Sequence, residues 1–278
     1  GDYVSGLNSG DEVDVSSSVR AQFATLINAN DSEITYAPST TLGENLITSA
    51  LGMPASGGHI ITDALHFIGS FYLYEQLKRQ GMNITILPVQ EDGTISPYQY
   101  EQAITEETVL IAVSHISWIN GFEHDLKSLS DIAHAADAFL YVDLIQSAGN
   151  TPIDVKAMGI DFASCGTYKW LMGDFGLAFL YVNNLHLGRL QRPWYGYLQT
   201  TNFVAPETHM YPLDPPGNPQ YSSSRKAGIE GIFNGSFPPR MIEAAANVSL
   251  QMILETGVEV LQSQRQPLID ALQTTLRE

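Results

Sequence analysis

The sequence predicts an α/β fold, a three-layer sandwich in which a mainly parallel sheet lies between two layers of helices. From residue 36 onward, short apolar runs alternate with amphipathic stretches, which is the order of elements in repeated βαβ units. The run 109–113, Val-Leu-Ile-Ala-Val, is continuously hydrophobic, as is typical of a parallel strand buried on both faces. The chain has 278 residues, 44% of them hydrophobic, which is enough for one large domain.

The individual elements follow from the period of the hydrophobic pattern. Apolar runs predict strands at His59–Thr62, Ile84–Pro88, Val109–Ser114, Phe139–Asp143, Asp161–Cys165 and Leu177–Val182. Amphipathic stretches predict helices at Ser17–Ile27, Gly43–Leu51, Ser70–Arg79, Pro97–Ala103, Leu126–Ala136, Arg240–Leu254 and Val258–Leu276. Residues 183–238 are rich in proline and interrupt this alternation, which predicts a long functional loop region.

Composition excludes several classes of partner. Acidic residues outnumber basic ones 30 to 13, for a formal charge of −17, which argues against binding to nucleic acid or to anionic membranes. No apolar run approaches the ~20 residues of a membrane span, and the first residues do not resemble a signal peptide. The single cysteine is typical of a reducing compartment, so we expect a cytoplasmic protein. The spacing of His115, His124 and His134 suits no single helical face, so we predict no metal site.

Two residues at the ends of predicted strands carry the chemistry. Asp143 ends one apolar run, and Lys169 follows the next one in the segment 166–173, Gly-Thr-Tyr-Lys-Trp-Leu-Met-Gly. Pyridoxal phosphate needs an amine for a Schiff base and an acid beside its pyridine nitrogen. Most lysines are solvated surface charges, but Lys169 lies between two apolar stretches. On spacing alone, Asp143 could equally cap the following helix.

The cofactor makes two further demands on the protein, a phosphate site and a ring-stacking group. Ser39, Thr40 and Thr41 precede a predicted helix, where they could bind phosphate or act as ordinary caps. His66 and Phe67 follow the first predicted strand and could stack on the ring or pack in the core. All of these residues follow strand ends, and open α/β sheets bind ligands at that edge.

Four segments resemble the class V aminotransferase family, which belongs to the fold-type-I pyridoxal phosphate enzymes. These are Val142–Gly149, Pro152–Val155, the pair at 161–162, and Tyr168–Gly173. The family includes cysteine desulfurases and isopenicillin N epimerase-like proteins, and the Tyr-Lys-Trp-Leu block is most similar to the second branch. The resemblance extends over residues 36–255, which we take as a cofactor-binding large domain. Residues 1–35 form an N-terminal segment, and residues 256–278 begin a C-terminal one.

The resemblance implies roles for the residues at the cofactor ring. Lys169 would form the internal aldimine and then move protons at the substrate carbon. Asp143 would pair with the pyridine nitrogen, and Gln146 would donate a hydrogen bond to the phenolic oxygen. Phe67 falls at the ring-stacking position, with His66 as the rival if the register slips by one residue.

The resemblance also implies a phosphate site shared between two subunits. Thr40 and Thr41 match the family's phosphate-binding threonine pair, and Tyr168 stands where a residue before the lysine reaches the phosphate. Ser236 resembles a residue that donates its hydroxyl to the phosphate of the neighbouring subunit, which implies a homodimer. Trp118 departs from the family pattern, because many relatives have asparagine there. The family's smaller C-terminal domain, which supplies an arginine for the substrate carboxylate, is expected to be missing or truncated.

These features predict a pyridoxal phosphate enzyme that acts on an amino acid. Transamination, elimination and racemisation share the same first steps, so the cofactor site does not name the reaction. Desulfuration is disfavoured because Cys165, the only thiol, lies in an apolar strand. A non-catalytic relative with an assembly or sensing role is the alternative. A nucleotide-binding protein is disfavoured because neither GxGxxG nor GxxxxGK[ST] occurs.

Overall fold

The described part of the chain folds around one seven-stranded sheet. The structure is a computed structural model that describes residues 15–201 and 224–277. The strands are β1 (Ile34–Ala37), β2 (His59–Asp63), β3 (Asn83–Leu87), β4 (Thr108–Ser114), β5 (Phe139–Asp143), β6 (Phe162–Gly166) and β7 (Ala178–Val182). Their order across the sheet is β1-β7-β6-β5-β4-β2-β3, and only the pairs made by β7 are antiparallel.

Helices cover both faces of the sheet. They are α1 (Val15–Leu26), α2 (Thr40–Ala50), α3 (Ile68–Arg79), α4 (Pro97–Ala103), α5 (Leu126–Ala135), α6 (Glu230–Phe233), α7 (Arg240–Thr256) and α8 (Val258–Arg277). Successive side chains of a strand point to opposite faces, so each strand contributes to two cores. In β2, Ile61 packs in the core beneath α1, α5 and α7, whereas Ile60 packs in the core beneath α2 and α3. The result is the three-layer sandwich that the sequence predicts.

The topology gathers strand ends at a single edge of the sheet. The chain passes from β2 outward to β3, returns to β4, and then runs through β5 to β6 in the opposite direction. The strand order therefore reverses between β2 and β4, and ligands bind beside such reversals. The segments that follow β1, β2, β4, β5 and β6 all leave the sheet at this edge, since these strands run in the same direction.

The structure confirms all six predicted strands to within about one residue, and it adds a seventh. Strand β1 is missed because its four residues, Ile-Thr-Tyr-Ala, form too short a run to stand out. The predicted start of α2 at Gly43 is wrong, because the helix begins at Thr40 with Ser39 as its N-cap. In the predicted loop region 183–238, residues 202–223 lie outside the described part, and α6 interrupts the remainder. The domain boundaries at 35 and 255 stay predictions.

Among the described residues, no helix is both long enough and apolar enough to cross a membrane.

Candidate active site

The first turn of α2 is fixed against the end of β6. The Thr40 hydroxyl accepts a hydrogen bond from the Gly166 N–H at 2.8 Å, and the Ser164 hydroxyl donates to the Thr40 carbonyl at 3.0 Å. Gly43 allows this approach, because a Cβ at this position would lie 2.7 Å from the Ser164 Cβ. The first four N–H groups of a helix have no partner within it, so they favour an anion. Thr40 is buried and Thr41 partly exposed beside this helix start.

Asp143 ends β5 beside that helix start, opposite Ser164 of β6 and Ser114 of β4. Its side chain is buried, and one oxygen accepts a hydrogen bond from the Ile145 N–H at 2.8 Å. The capping role that the sequence left open is not present, because the described residues between β5 and β6 form no helix; the carboxylate instead holds the turn that follows β5. Burial raises the pKa of Asp143 to about 6, and the charge of His66 opposes that rise. A buried carboxyl of this kind can share a proton with a basic nitrogen near neutral pH.

Lys169 lies in the eleven-residue loop, 167–177, between β6 and β7. The Thr167 hydroxyl closes this loop through one proton shared between the carbonyl oxygens of Asp174 and Leu177, at 2.7 and 3.1 Å. Gly173 packs against Thr167 so closely that a Cβ there would lie 2.6 Å from the Thr167 Cβ. The Lys169 side chain is only partly buried, and its charge partly opposes the rise in the pKa of Asp143. A loop held by these contacts therefore presents an amine to the edge where Asp143 lies.

A fully buried ion pair lies beneath this edge. His66 contacts the Glu44 carboxylate at 3.3 Å through Nε2 and the Ser114 hydroxyl at 2.8 Å through Nδ1. The hydroxyl groups of Ser70 and Tyr74 also donate to Glu44. Burial is the largest single effect and opposes both charges, but the attraction between them and the hydrogen bonds together outweigh it, so the pKa of His66 is raised and that of Glu44 is lowered. The sequence did not single out Glu44, although it shares the buried face of α2 with Ile47.

Replacing Glu44 by glutamine should destabilise the protein more at mildly acidic pH than at alkaline pH. The folded-state pKa of His66 lies above its unfolded value and that of Glu44 lies below its unfolded value, so the pair stabilises fully between about pH 4.5 and 6.5. Its contribution falls as pH rises through the folded-state pKa of His66. The variant leaves a buried charge without its partner, and we expect a loss of about 3 kcal/mol at about pH 6 and less at about pH 9. Urea unfolding of the wild type and the variant at both pH values measures this loss in the free energy of unfolding.

Glu75 provides the control for this prediction. Its pair with Arg79 is more than half exposed on both side chains, so Glu75→Gln should change the free energy of unfolding little at either pH. An equal loss for Glu44→Gln and Glu75→Gln, or a Glu44→Gln loss that does not depend on pH, would contradict this account of the buried pair.

The two aromatic candidates after β2 occupy different environments. His66 is fully buried within the ion pair, whereas Phe67 is partly exposed and meets the ring of Trp118 edge-on, with the ring centroids 6.1 Å apart. Tyr168 stacks on Phe175 at 4.2 Å, and the Lys169 Nζ lies 5.9 Å from the centre of the Tyr168 ring. Of the two candidates, Phe67 is therefore the one with a ring face available to a ligand.

Gln146 and Ser236 differ in how the structure connects them to this edge. The Gln146 side chain is partly buried and accepts a hydrogen bond from the indole N–H of Trp170, the neighbour of Lys169, at 3.2 Å. Ser236 is exposed and lines a shallow depression with Tyr36 and Pro38 of the β1 end. Within the described residues, no hydrogen bond joins Ser236 to the cluster around Lys169.

The single cysteine and the three histidines considered as metal ligands are buried or paired with acidic side chains. Burial raises the pKa of the Cys165 thiol well above its usual value, which leaves it a poor nucleophile. His115 and His124, both buried after β4, pair with Glu123 and Asp63 respectively. His134 contacts the buried Asp161 at 2.9 Å. No group of three metal-ligating side chains is found in the described part of the chain.

Comparison with known proteins places the chain in a family. The family model for Aminotransferase class-V matches residues 9–212. The uncharacterized aminotransferase YcbU of Bacillus subtilis is 33% identical over 178 residues, which are 64% of this chain and 47% of YcbU. The cysteine desulfurase IscS of Shewanella sediminis is 31% identical over 179 residues, 64% of this chain and 44% of IscS. The chain thus spans less than half the length of these curated relatives.

Solved structures share the fold at lower sequence identity. The cysteine desulfurase CsdA of Escherichia coli has a TM-score of 0.81 at 19% identity, covering 95% of this chain and 63% of CsdA. A C-DES mutant with glycine covalently linked to its PLP cofactor has a TM-score of 0.77 at 18% identity, covering 91% of this chain and 64% of C-DES. The fold is therefore that of the large domain of fold-type-I pyridoxal phosphate enzymes. Because the family model matches well over half of the sequence, the chain belongs to the class V aminotransferase family.

Proposed function

We propose that this chain binds pyridoxal 5'-phosphate covalently through Lys169 and acts on an amino acid. The observation that carries the proposal is the meeting of Lys169, the buried Asp143 and the first turn of α2 at one edge of the sheet. Bound there, the cofactor would supply a pyridine ring that withdraws electrons from the substrate carbon. Lys169 would then take up and return the proton at that carbon.

The donor set fits the polar groups of this cofactor. The Lys169 Nζ matches its aldehyde, and the Asp143 carboxyl, with its raised pKa, matches the pyridine nitrogen. Thr40, Thr41 and the free N–H groups at the start of α2 match the phosphate.

The remaining predicted residues complete the surroundings of the ring. In this proposal the Gln146 amide donates to the phenolic oxygen, and Phe67 covers one ring face. The Tyr168 hydroxyl is assigned to the phosphate. His66 acts from beneath through its charge, since it is fully buried.

The proposal includes three reaction types that the assigned residues could support. An amino-acid transamination, elimination or racemisation would need only the groups assigned above, and so would fit the transferase, lyase and isomerase chemistry of the family. Cys165 does not fit the role of sulfur acceptor, because its buried thiol has a raised pKa. The intact pair of Lys169 and Asp143 favours an enzyme over a non-catalytic relative. A single buried cysteine is compatible with a cytoplasmic enzyme.

Titration of the purified protein with pyridoxal phosphate tests the proposal. We expect a visible absorption band at one equivalent per chain, and a change in that band when an amino-acid substrate is added from a panel. A protein that gains no band with excess pyridoxal phosphate would contradict the proposal and favour a non-catalytic relative.

We further propose a homodimer in which Ser236 donates to the phosphate of the neighbouring subunit. Ser236 is exposed and carries no hydrogen bond to the chain's own cluster, which leaves its hydroxyl available to a second subunit. We expect Lys169→Ala and Ser236→Asp each to be inactive alone. Mixed and reassociated, they should recover about a quarter of wild-type activity, because half of the dimers contain one intact site. No recovery despite verified exchange of subunits would contradict the shared site.

A further inference from the structure

Gln146 and three neighbouring residues form a closed set of contacts. The indole N–H of Trp170 donates to the Gln146 side-chain oxygen at 3.2 Å, and the Asn150 amide donates to the Gln146 carbonyl at 3.1 Å. Arg265 of α8 donates to the Asn150 carbonyl at 3.0 Å, and its guanidinium lies 5.7 Å from the centre of the Trp170 ring. Both the backbone and the side chain of Gln146 are therefore held by the same group of neighbours.

The contact with Trp170 fixes which way the Gln146 amide faces. An indole N–H only donates, whereas an amide offers an accepting oxygen on one side and a donating nitrogen on the other. Turning the Gln146 amide over would bring two donors together, so the oxygen must face Trp170 and the NH₂ group must face away. The NH₂ group of Gln146 is thereby left to donate to a ligand.

Tight packing maintains this arrangement. Gly149 has a φ of +83°, and a Cβ added there would lie 3.1 Å from the Trp170 carbonyl oxygen. The turn after β5 therefore packs directly on the backbone of the residue next to Lys169. Trp170 is 42% exposed, so burial of the indole does not by itself account for its position.

We propose that Trp170 is a positioning residue for the cofactor, because it turns the Gln146 NH₂ group toward the phenolic oxygen of pyridoxal phosphate. This inference rests on the proposed function. Trp170 does not itself touch the ring in this account; it acts through Gln146. Arg265 supports Trp170 from α8 by lying over its ring.

The pH dependence of the holoprotein's visible absorption tests the proposal. A donor to the phenolic oxygen withdraws negative charge from it, so the proton on the neighbouring nitrogen is held less firmly. Trp170→Phe removes the indole donor and loosens Gln146. We expect the pH at the midpoint of the change in visible absorption to rise by about 0.5. Gln146→Leu removes the amide and sets the upper limit of the rise. Trp170→His, which restores a ring N–H, should return the midpoint toward that of the wild type.

A second measurement tests the hydrogen bond without the cofactor. The chain has three tryptophans, so the cofactor-free protein should give three indole N–H signals in a ¹H–¹⁵N spectrum. The signal missing from Trp170→Phe identifies Trp170. It should move upfield in Gln146→Leu, while the signals of Trp118 and Trp194 stay in place.

The outcomes separate this proposal from the proposed function. A Trp170→Phe midpoint equal to that of the wild type, with a shift in Gln146→Leu, would overturn the role of Trp170 and leave the cofactor site intact. An unshifted midpoint in Gln146→Leu would overturn the contact with the phenolic oxygen. A wild-type protein that never gains a visible band would contradict the proposed function instead, and an unmoved indole signal would then overturn the hydrogen bond independently.

Discussion

Lys169→Ala should abolish the visible absorption band and lower turnover of the amino-acid substrate at least roughly 10³-fold. The lysine supplies both the amine that links to the cofactor and the base at the substrate carbon, so one substitution removes both functions. The loop that carries it is held by the hydrogen bonds of Thr167 and the packing of Gly173, and none of these contacts involves the Lys169 amine. We therefore expect the variant to fold normally. Absorption spectra and steady-state rates measure the effect.

Lys156→Ala provides the matched control, because Lys156 is an exposed lysine on the same domain. It should keep both the band and the rate of the wild type. Lys169→Arg retains a positive charge but offers no amine for covalent attachment, so it should behave as Lys169→Ala does. Retention of turnover in Lys169→Ala would show that the chemistry does not depend on this residue.

Asp143→Asn should make the cofactor-free protein more stable while it removes activity. Burial raises the pKa of Asp143 from 3.8 to about 6, so the folded state holds this proton more firmly than the unfolded chain does. Stability from this group is present below about pH 4 and is lost as pH rises to about 6. The difference of about 2 pH units corresponds to about 3 kcal/mol. Asparagine keeps the shape and the hydrogen bond from Ile145 without the charge.

We expect the stabilisation of Asp143→Asn to be near zero at about pH 4 and to approach 3 kcal/mol at about pH 7.5. The same variant loses the partner of the pyridine nitrogen, so turnover should fall by roughly 10²-fold or more. Urea unfolding of the cofactor-free proteins and steady-state rates measure both effects. Asp131→Asn, at an exposed acid paired with Lys127, should change neither. A destabilised Asp143→Asn at neutral pH would show that the carboxylate has a favourable partner in the folded state.

The sequence predicts the sheet well because buried parallel strands have a strong local signature. A run of five apolar residues marks β4 and a run of four marks β5, without any knowledge of their partners. Strand β1 lacks such a signature. It pairs only with β7, nearly 150 residues later, and that pairing is decided by tertiary structure. The antiparallel direction of β7 is likewise invisible in its own sequence.

The first residue of α2 is predicted wrongly for a different reason. Glycine disfavours a helix interior, so the sequence places the helix start at Gly43. The structure puts Gly43 inside the first turn because only glycine allows α2 to approach Ser164. The close packing of α2 on Ser164 therefore outweighs the low helix propensity of glycine. As a result, Thr40 and Thr41 lie in the first turn of α2, where backbone N–H groups are free.

The sequence predicts the residues of the candidate site that follow strand ends, but it does not predict the contacts between separate elements that support them. Lys169 and Asp143 stand out because each follows a strand end. Which of His66 and Phe67 faces a ligand depends on one residue of register, and the structure settles their burial but leaves their roles as proposals. Glu44 could have been recognised from the sequence as an acid on the apolar face of a helix. Trp170 could not, because its contact with Gln146 joins two separate turns.

Borohydride reduction of the pyridoxal phosphate-loaded protein, followed by peptide mass mapping, tests the central claim most directly. Reduction fixes the cofactor permanently to the amine that holds it. We predict a single pyridoxyl-modified peptide with the added mass on Lys169. A modification on any other lysine, or a protein that stays unmodified with excess cofactor, would contradict the assignment of the active site.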